Sequence, residues 1–188
     1  MCELFAAHRC QGAGTYFHQA LTPVLVAPGK PDVIALPPAF IRPQDGHDKQ
    51  DCEIAAAKRW LHQHAEHYRG MKITILGDDL YCQQPFCELL LSHGFNFILV
   101  CTLESHPTLY EWIDTLAAAG DLPQFSLTRW NGRFRDVYTY RYASAVPLRD
   151  GEDALSVNWC ELTVTTKRTG PCCIAMRLRP YEDLRLQE

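Results

Sequence analysis

Apolar positions along this chain follow two rhythms, and the rhythm changes mark its elements. Thr15–Ala27 reads as a strand broken at Pro23, with Val24-Leu25-Val26 as its apolar centre. Pro28-Gly29-Lys30-Pro31 is a turn signal, and Val33–Leu36 reads as a second strand, so the pair predicts a β-hairpin. Ile54, Ala57 and Leu61 then recur at helical spacing within a helix expected from about Lys49 to His67. Asp48 is its expected N-cap, with Asp51 three residues on. Met71–Leu76 is a short apolar strand. Pro85 suits a first helical turn, Phe86, Leu89, Leu90 and His93 follow at helical spacing, and Gly94 closes that helix. Phe95–Cys101 is the next strand, so strand, helix and strand predict a βαβ unit with parallel neighbours. A further helix is expected over Pro107–Ala119, burying Leu109, Trp112, Ile113 and Leu116 and ending at Gly120. After Pro123 the pattern turns to β. Arg135–Ala143 alternates with Tyr138, Tyr140 and Tyr142 on one face, Ala154–Thr166 is a further strand, and Pro147–Asp153 is the loop between them. Met1–Gly14 and Gly170–Glu188 show no clean period.

Composition narrows the classes. The chain has 188 residues, 47% hydrophobic and 21% charged, which suits an ordinary globular protein and not a disordered chain, a collagen-like one or a coiled coil. The formal net charge of −4 excludes a small, uniformly basic nucleic-acid module, though not a protein with local basic patches. No apolar run is long enough to span a membrane, and Met1–Ala20 has no apolar core of signal-peptide length. Nine scattered cysteines therefore read as buried free thiols rather than a disulfide framework.

Three clusters invite a chemical reading. Asp78-Asp79 follows the first strand of the expected βαβ unit, where α/β folds place ligands, and carboxylates there suit Mg²⁺ or Mn²⁺. The alternative is a turn-capping pair. Neighbouring positions on an extended segment point apart, so one of the two is expected to face a site. His62, His64 and His67 diverge around a helix and read as a solvated helix end. No Cys-x-x-Cys pair occurs, so no zinc ribbon is expected, and the reading includes no nucleotide cofactor. Thr128–Arg149 carries Arg129, Arg133, Arg135, Arg141 and Arg149 against one acid, Asp136, with Trp130, Phe134 and three tyrosines interleaved. Arginine contacts phosphate and aromatic rings stack on bases, which makes Arg129, Arg133, Arg135 and Arg141 candidate DNA-binding residues. The alternative is an ordinary sheet with its aromatic face inward and its arginines outward. Asp45-Gly46 and Asp150-Gly151 read as turns.

Several segments, in order, carry a resemblance. They are Tyr16-Phe17-His18-Gln19-Ala20, Pro23 to Gly29, Ile41-Arg42-Pro43-Gln44-Asp45-Gly46-His47-Asp48-Lys49-Gln50-Asp51-Cys52-Glu53, Ala55 to Leu61, Leu76-Gly77-Asp78-Asp79-Leu80-Tyr81 and Val146 to Gly151. Over roughly Gly14–Gly170 the chain resembles a bacterial insertion-sequence transposase of the DDE superfamily. That resemblance implies an RNase H-like core, a mixed sheet with flanking helices, in which three acids hold two divalent ions (Mg²⁺ or Mn²⁺) for attack on phosphodiesters. It implies double-stranded DNA at transposon ends as partner, and a cytoplasmic, nucleoid-associated place. Asp78 matches the second acid and is the expected catalytic residue and metal ligand, with Asp79 as the alternative ligand at that same position.

The chain departs from that pattern at both ends. No Asp-Gly strand precedes Tyr16, where only Glu3 is acidic. No helix with the third acid follows Gly170, where Glu182 and Glu188 lie in a tail that reads like out-of-frame translation. The expectation is an incomplete RNase H-like core over 1–122, a β-rich insertion over 123–170 and an aberrant tail over 171–188. One carboxylate is a poor site for two metal ions, so the chain alone is expected not to cut or join DNA. A core lacking its first strand exposes a sheet edge, so self-association is also expected. Two other readings stay open: a non-catalytic DNA- or protein-binding remnant, and an unrelated α/β metal-dependent phosphoesterase using Asp78 and Asp79.

Overall fold

The computed structural model describes residues 6–9, 15–42, 51–166 and 170–180. It is a mixed α/β structure that divides into two units, Met1–Arg69 and Gly70–Glu188. The boundaries expected near 122 and 170 both fall inside the second unit.

In the first unit β1 (Ala6–Arg9), β2 (Thr15–Leu21) and β5 (Ala39–Ile41) form one antiparallel sheet in the order β1-β2-β5. The predicted hairpin is present as β3 (Val24–Val26) and β4 (Val33–Ala35), paired Val24 to Ala35. Its turn closes with Lys30 N–H donating to the Ala27 carbonyl, and Gly29 takes the positive φ of +72° that the turn requires. The first helix, α1, spans Glu53–His64. It starts later than the sequence suggests, with Cys52 rather than Asp48 at the N-cap position. Asp45-Gly46, Asp48 and the expected start at Lys49 lie outside the described residues. Its buried stripe is Ala56, Ala57, Trp60 and Leu61, and Trp60 Nε1 donates to the Pro37 carbonyl at 2.7 Å. After His64 the chain tightens into a 3-10 turn, Ala65–Tyr68, so His67 does not share the helix with His62 and His64. The His64 ring instead lies 5.0 Å from Trp60.

The second unit is built on a six-stranded mixed sheet. The βαβ unit is there: β6 (Thr74–Gly77), α2 (Gln84–Ser92) and β7 (Asn96–Val100), with β6 and β7 parallel and Leu76 opposite Ile98. The next helix, α3, spans Pro107–Ala119 and ends at Gly120 in the left-handed conformation. Its buried residues are Leu109, Tyr110 and Ile113, whereas Trp112 is half exposed. The β region supplies β8 (Gln124–Trp130), β9 (Arg135–Pro147), β10 (Ser156–Thr166) and β11 (Gly170–Pro180), in the sheet order β6-β7-β11-β10-β9-β8. The core gathers where α2 and α3 meet the sheet: Phe86, Leu90, Phe97, Leu99, Leu109, Val157 and Trp159 are all nearly inaccessible. Tyr110 meets Trp159 edge to face at 6.4 Å.

The segment read as an aberrant tail thus begins as a strand in the middle of the sheet. β11 pairs antiparallel with β10 on one side and with β7 on the other, where Leu178 lies opposite Leu99. A register shift explains why no period was visible. Leu162 opposes Ala175 while Thr163 opposes Cys173, so Ile174 is the extra residue of a bulge. One inserted residue reverses the inward and outward phase of every later position. Residues 181–188, with Glu182 and Glu188, lie outside the described residues, as does Glu3.

Candidate functional site

The carboxyl ends of the parallel strands β6 and β7 bring two loops together. Gly77, the last residue of β6, sits where a side chain has no room: a Cβ there would stand 2.9 Å from Leu99 Cδ2 and 3.3 Å from Tyr81 Cδ2. Asp78 and Asp79 follow and do different work. Asp78 is exposed, and its Oδ1 accepts from Leu80 N–H at 3.1 Å, capping the 3-10 turn Asp79–Tyr81. Asp79 reaches across to the loop after β7. Its Oδ1 accepts from Thr102 N–H at 2.9 Å, and its Oδ2 accepts from Thr102 Oγ1 at 3.2 Å and from Ser105 Oγ. It therefore braces one strand-end loop against the other.

His106 stands at the N-cap position of α3, its side chain 9% exposed and its Nε2 3.8 Å from Asp79 Oδ1. That distance is too long for a hydrogen bond. Burial holds the imidazole below its usual pKa, while the Asp79 charge and the Leu148 backbone pull the other way. Beside it lies an open pocket of about 210 Å³ lined by Cys82, Gln84, Ser105, His106, Leu148 and Arg149 among others. Gln84 knits this wall together. Its Nε2 donates to Glu88 and to the Asp153 carbonyl, and its Oε1 accepts from Arg149 Nε and Leu155 N–H. Sequence reasoning missed Thr102, Ser105, His106 and Gln84, whose roles come from contacts 23 to 71 residues away along the chain.

Among the described residues, no group of three or more His, Cys, Asp or Glu side chains is placed to hold a metal ion. The Asp79 oxygens already accept from three donors, which leaves Asp78 as a single outward carboxylate. The described residues do not by themselves make up a two-ion centre. Cys52, Cys82, Cys87, Cys101 and Cys160 are free thiols. Cys82, Cys87 and Cys101 are fully buried, and burial pushes the thiol pKa up, to about 12 for Cys87 and about 11 for Cys101. Such thiols do not act as nucleophiles at neutral pH.

The second site candidate is the β8–β9 hairpin. Trp130 pairs with Arg135, and Asn131 N–H donates to the Phe134 carbonyl. Gly132 takes φ +92°, and Asn131 Oδ1 accepts from the amides of Arg133 and Phe134. The arginines expected to act together are divided. Arg129 lies over the Tyr138 ring, Arg133 over Phe134 in the turn, and Arg135 is exposed on the opposite face of the ribbon from Arg129. Arg141 is engaged elsewhere: its guanidinium holds the buried Glu161 at 2.6 Å and lies over Trp159. Tyr138, Tyr140 and Tyr142 do share a face, with Phe125 stacked 4.8 Å from Tyr140. That face is not turned wholly inward: Phe125 is 48% and Tyr142 43% exposed.

Among the described residues, no helix is long and apolar enough to cross a membrane. No family model, no curated protein and no solved structure matches this chain.

Proposed function

We propose that this chain is a piece of a DDE-type transposase that grips duplex DNA through the β8–β9 hairpin and does not cut it. The observation that carries the reading is the hairpin end. Arg129, Arg133 and Arg135 are exposed there and make no ion pair among the described residues, and Trp130 beside them is 64% exposed. A basic patch on a chain of net charge −4 favours phosphate contact. The RNase H-like reading is supported by the parallel β6–β7 pair, the intervening α2 and the outward Asp78 at the strand's carboxyl end. Mg²⁺ or Mn²⁺ enters through the resemblance only, with Asp78 as the outward carboxylate offered to it among the described residues.

Fluorescence anisotropy of a labelled transposon-end duplex tests the reading. Binding should weaken with salt, with a log–log slope of about −2 to −3 for three phosphate contacts. Replacing Arg129, Arg133 and Arg135 by Ala should remove it, while Arg141→Ala should destabilise the fold and leave the salt slope unchanged. Salt-independent binding, or none, overturns the DNA assignment. Metal-dependent cleavage abolished by Asp78→Asn overturns the non-cleaving half.

A further inference from the structure

β8 is the end strand of the six-stranded sheet, paired with β9 and with no other strand among the described residues. All seven of its residues are exposed. The ladder fixes which of its backbone groups face outward. Tyr142 N–H donates to the Pro123 carbonyl, and Asn131 N–H donates to the Phe134 carbonyl. Both bonds belong to the same antiparallel phase, so the odd positions, Phe125, Leu127 and Arg129, direct their N–H and C=O groups to β9. The even positions, Gln124, Ser126, Thr128 and Trp130, turn theirs to the open edge.

Natural edges are blunted by charged side chains, Pro or a bulge. β8 has neither Pro nor bulge: its register with β9 is unbroken, and Arg129 is its one charged residue. We propose that β8 pairs antiparallel with β8 of a second copy of this chain, about a twofold axis through Leu127, joining two sheets into one. That register is the only one that pairs all seven residues. It sets Ser126 against Thr128, Gln124 against Trp130 and Arg129 against Phe125. The side chains of β8 are complementary to themselves in this register, which names the occupant: each guanidinium meets an aromatic ring of the other copy and never its own twin. Phe125 is already held flat on Tyr140, which leaves its outer side for that contact. Leu127, 46% exposed, meets Leu127.

The register gives a sharp test on the full chain. Leu127 opposite Leu127 is a non-hydrogen-bonded pair with Cα atoms about 4.5 Å apart, within disulfide range. Under mild oxidation Leu127→Cys should give a 127–127 cross-link, mapped by mass spectrometry, and Ser126→Cys should give none with itself. Light scattering should show a dimer for the unaltered chain. Thr128→Pro removes an N–H that faces the edge and leaves the β9 ladder whole. It should weaken the dimer at least about tenfold with the melting temperature of the monomer unchanged. A chain that stays monomeric as concentration rises overturns the proposal. So does a dimer without the selective cross-link that survives Thr128→Pro, and so do open-ended oligomers. A monomer whose β8 amides gain hydrogen-exchange protection only with added duplex assigns the edge to DNA and overturns it too. Failure here leaves the DNA reading standing, because that reading is measured on the arginines of the hairpin end.

Discussion

Two neighbouring carboxylates show how far a residue's meaning depends on what lies across from it. Asp78 and Asp79 look equivalent in the sequence, yet one caps its own turn and the other anchors a distant loop. Asp79→Ala strips three donors of their acceptor and should cost about 2–3 kcal/mol in chemical denaturation. Asp78→Ala loses one cap bond and should cost about 1 kcal/mol. Equal costs would mean that Asp79 is no brace. The position of this pair after a strand was legible, because a short apolar run ending in Gly77-Asp78 announces itself. Its division of labour was not, since Thr102 and Ser105 lie in a loop with no pattern of their own. The cysteines were legible as thiols from their apolar settings. Alkylation of the native protein should modify exposed Cys52 and spare Cys82, Cys87 and Cys101 until denaturant is added. Modification of Cys87 or Cys101 in the native state at neutral pH would contradict their burial.

At the scale of elements, helices and the parallel pair could be read because each carries its own punctuation. Pro85 and Gly94 bracket α2, and Pro107 and Gly120 bracket α3. Gly77 is a different kind of glycine, required by the approach of Leu99 and Tyr81. Gly77→Ala should push on the fully buried Leu99 and lower stability by about 1–3 kcal/mol, with a melting temperature unchanged from wild type as the contrary result. The β region was legible as β but not as one sheet with the βαβ unit. Its join is β11, whose alternation is broken by the bulge at Ile174. The tyrosine face of β9 was legible, but the grouping of its arginines was not. Strand alternation sends Arg129 and Arg135 to opposite faces across the hairpin, and the buried Glu161 claims Arg141.

For the whole molecule, acid should act through both units with the same sign. In the first, Asp51 is nearly inaccessible and bonded to Arg59 at 2.7 Å through both oxygens, and the Arg59 hydrogen bonds hold its carboxyl below the usual range. Its contribution is full above the ordinary carboxylate pKa and is lost as pH falls through the lowered one. Asp51→Asn should cost about 1–2 kcal/mol at neutral pH and little in strong acid, so the two melting curves should converge on acidification. Curves that stay parallel would refute it. His106 adds to the same trend in the second unit, because its buried neutral ring must take up a proton as pH falls. The place of β11 also bears on how the molecule is made. On the ribosome β6, α2 and β7 emerge early, and β8, β9 and β10 emerge together later. Neither group touches the other through the ladder until β11 slides between them. Until β11 is made, the nascent chain therefore holds two open half-sheets. β11 is the strand that closes them, so this sheet can first exist only once residues 170–180 have left the exit tunnel.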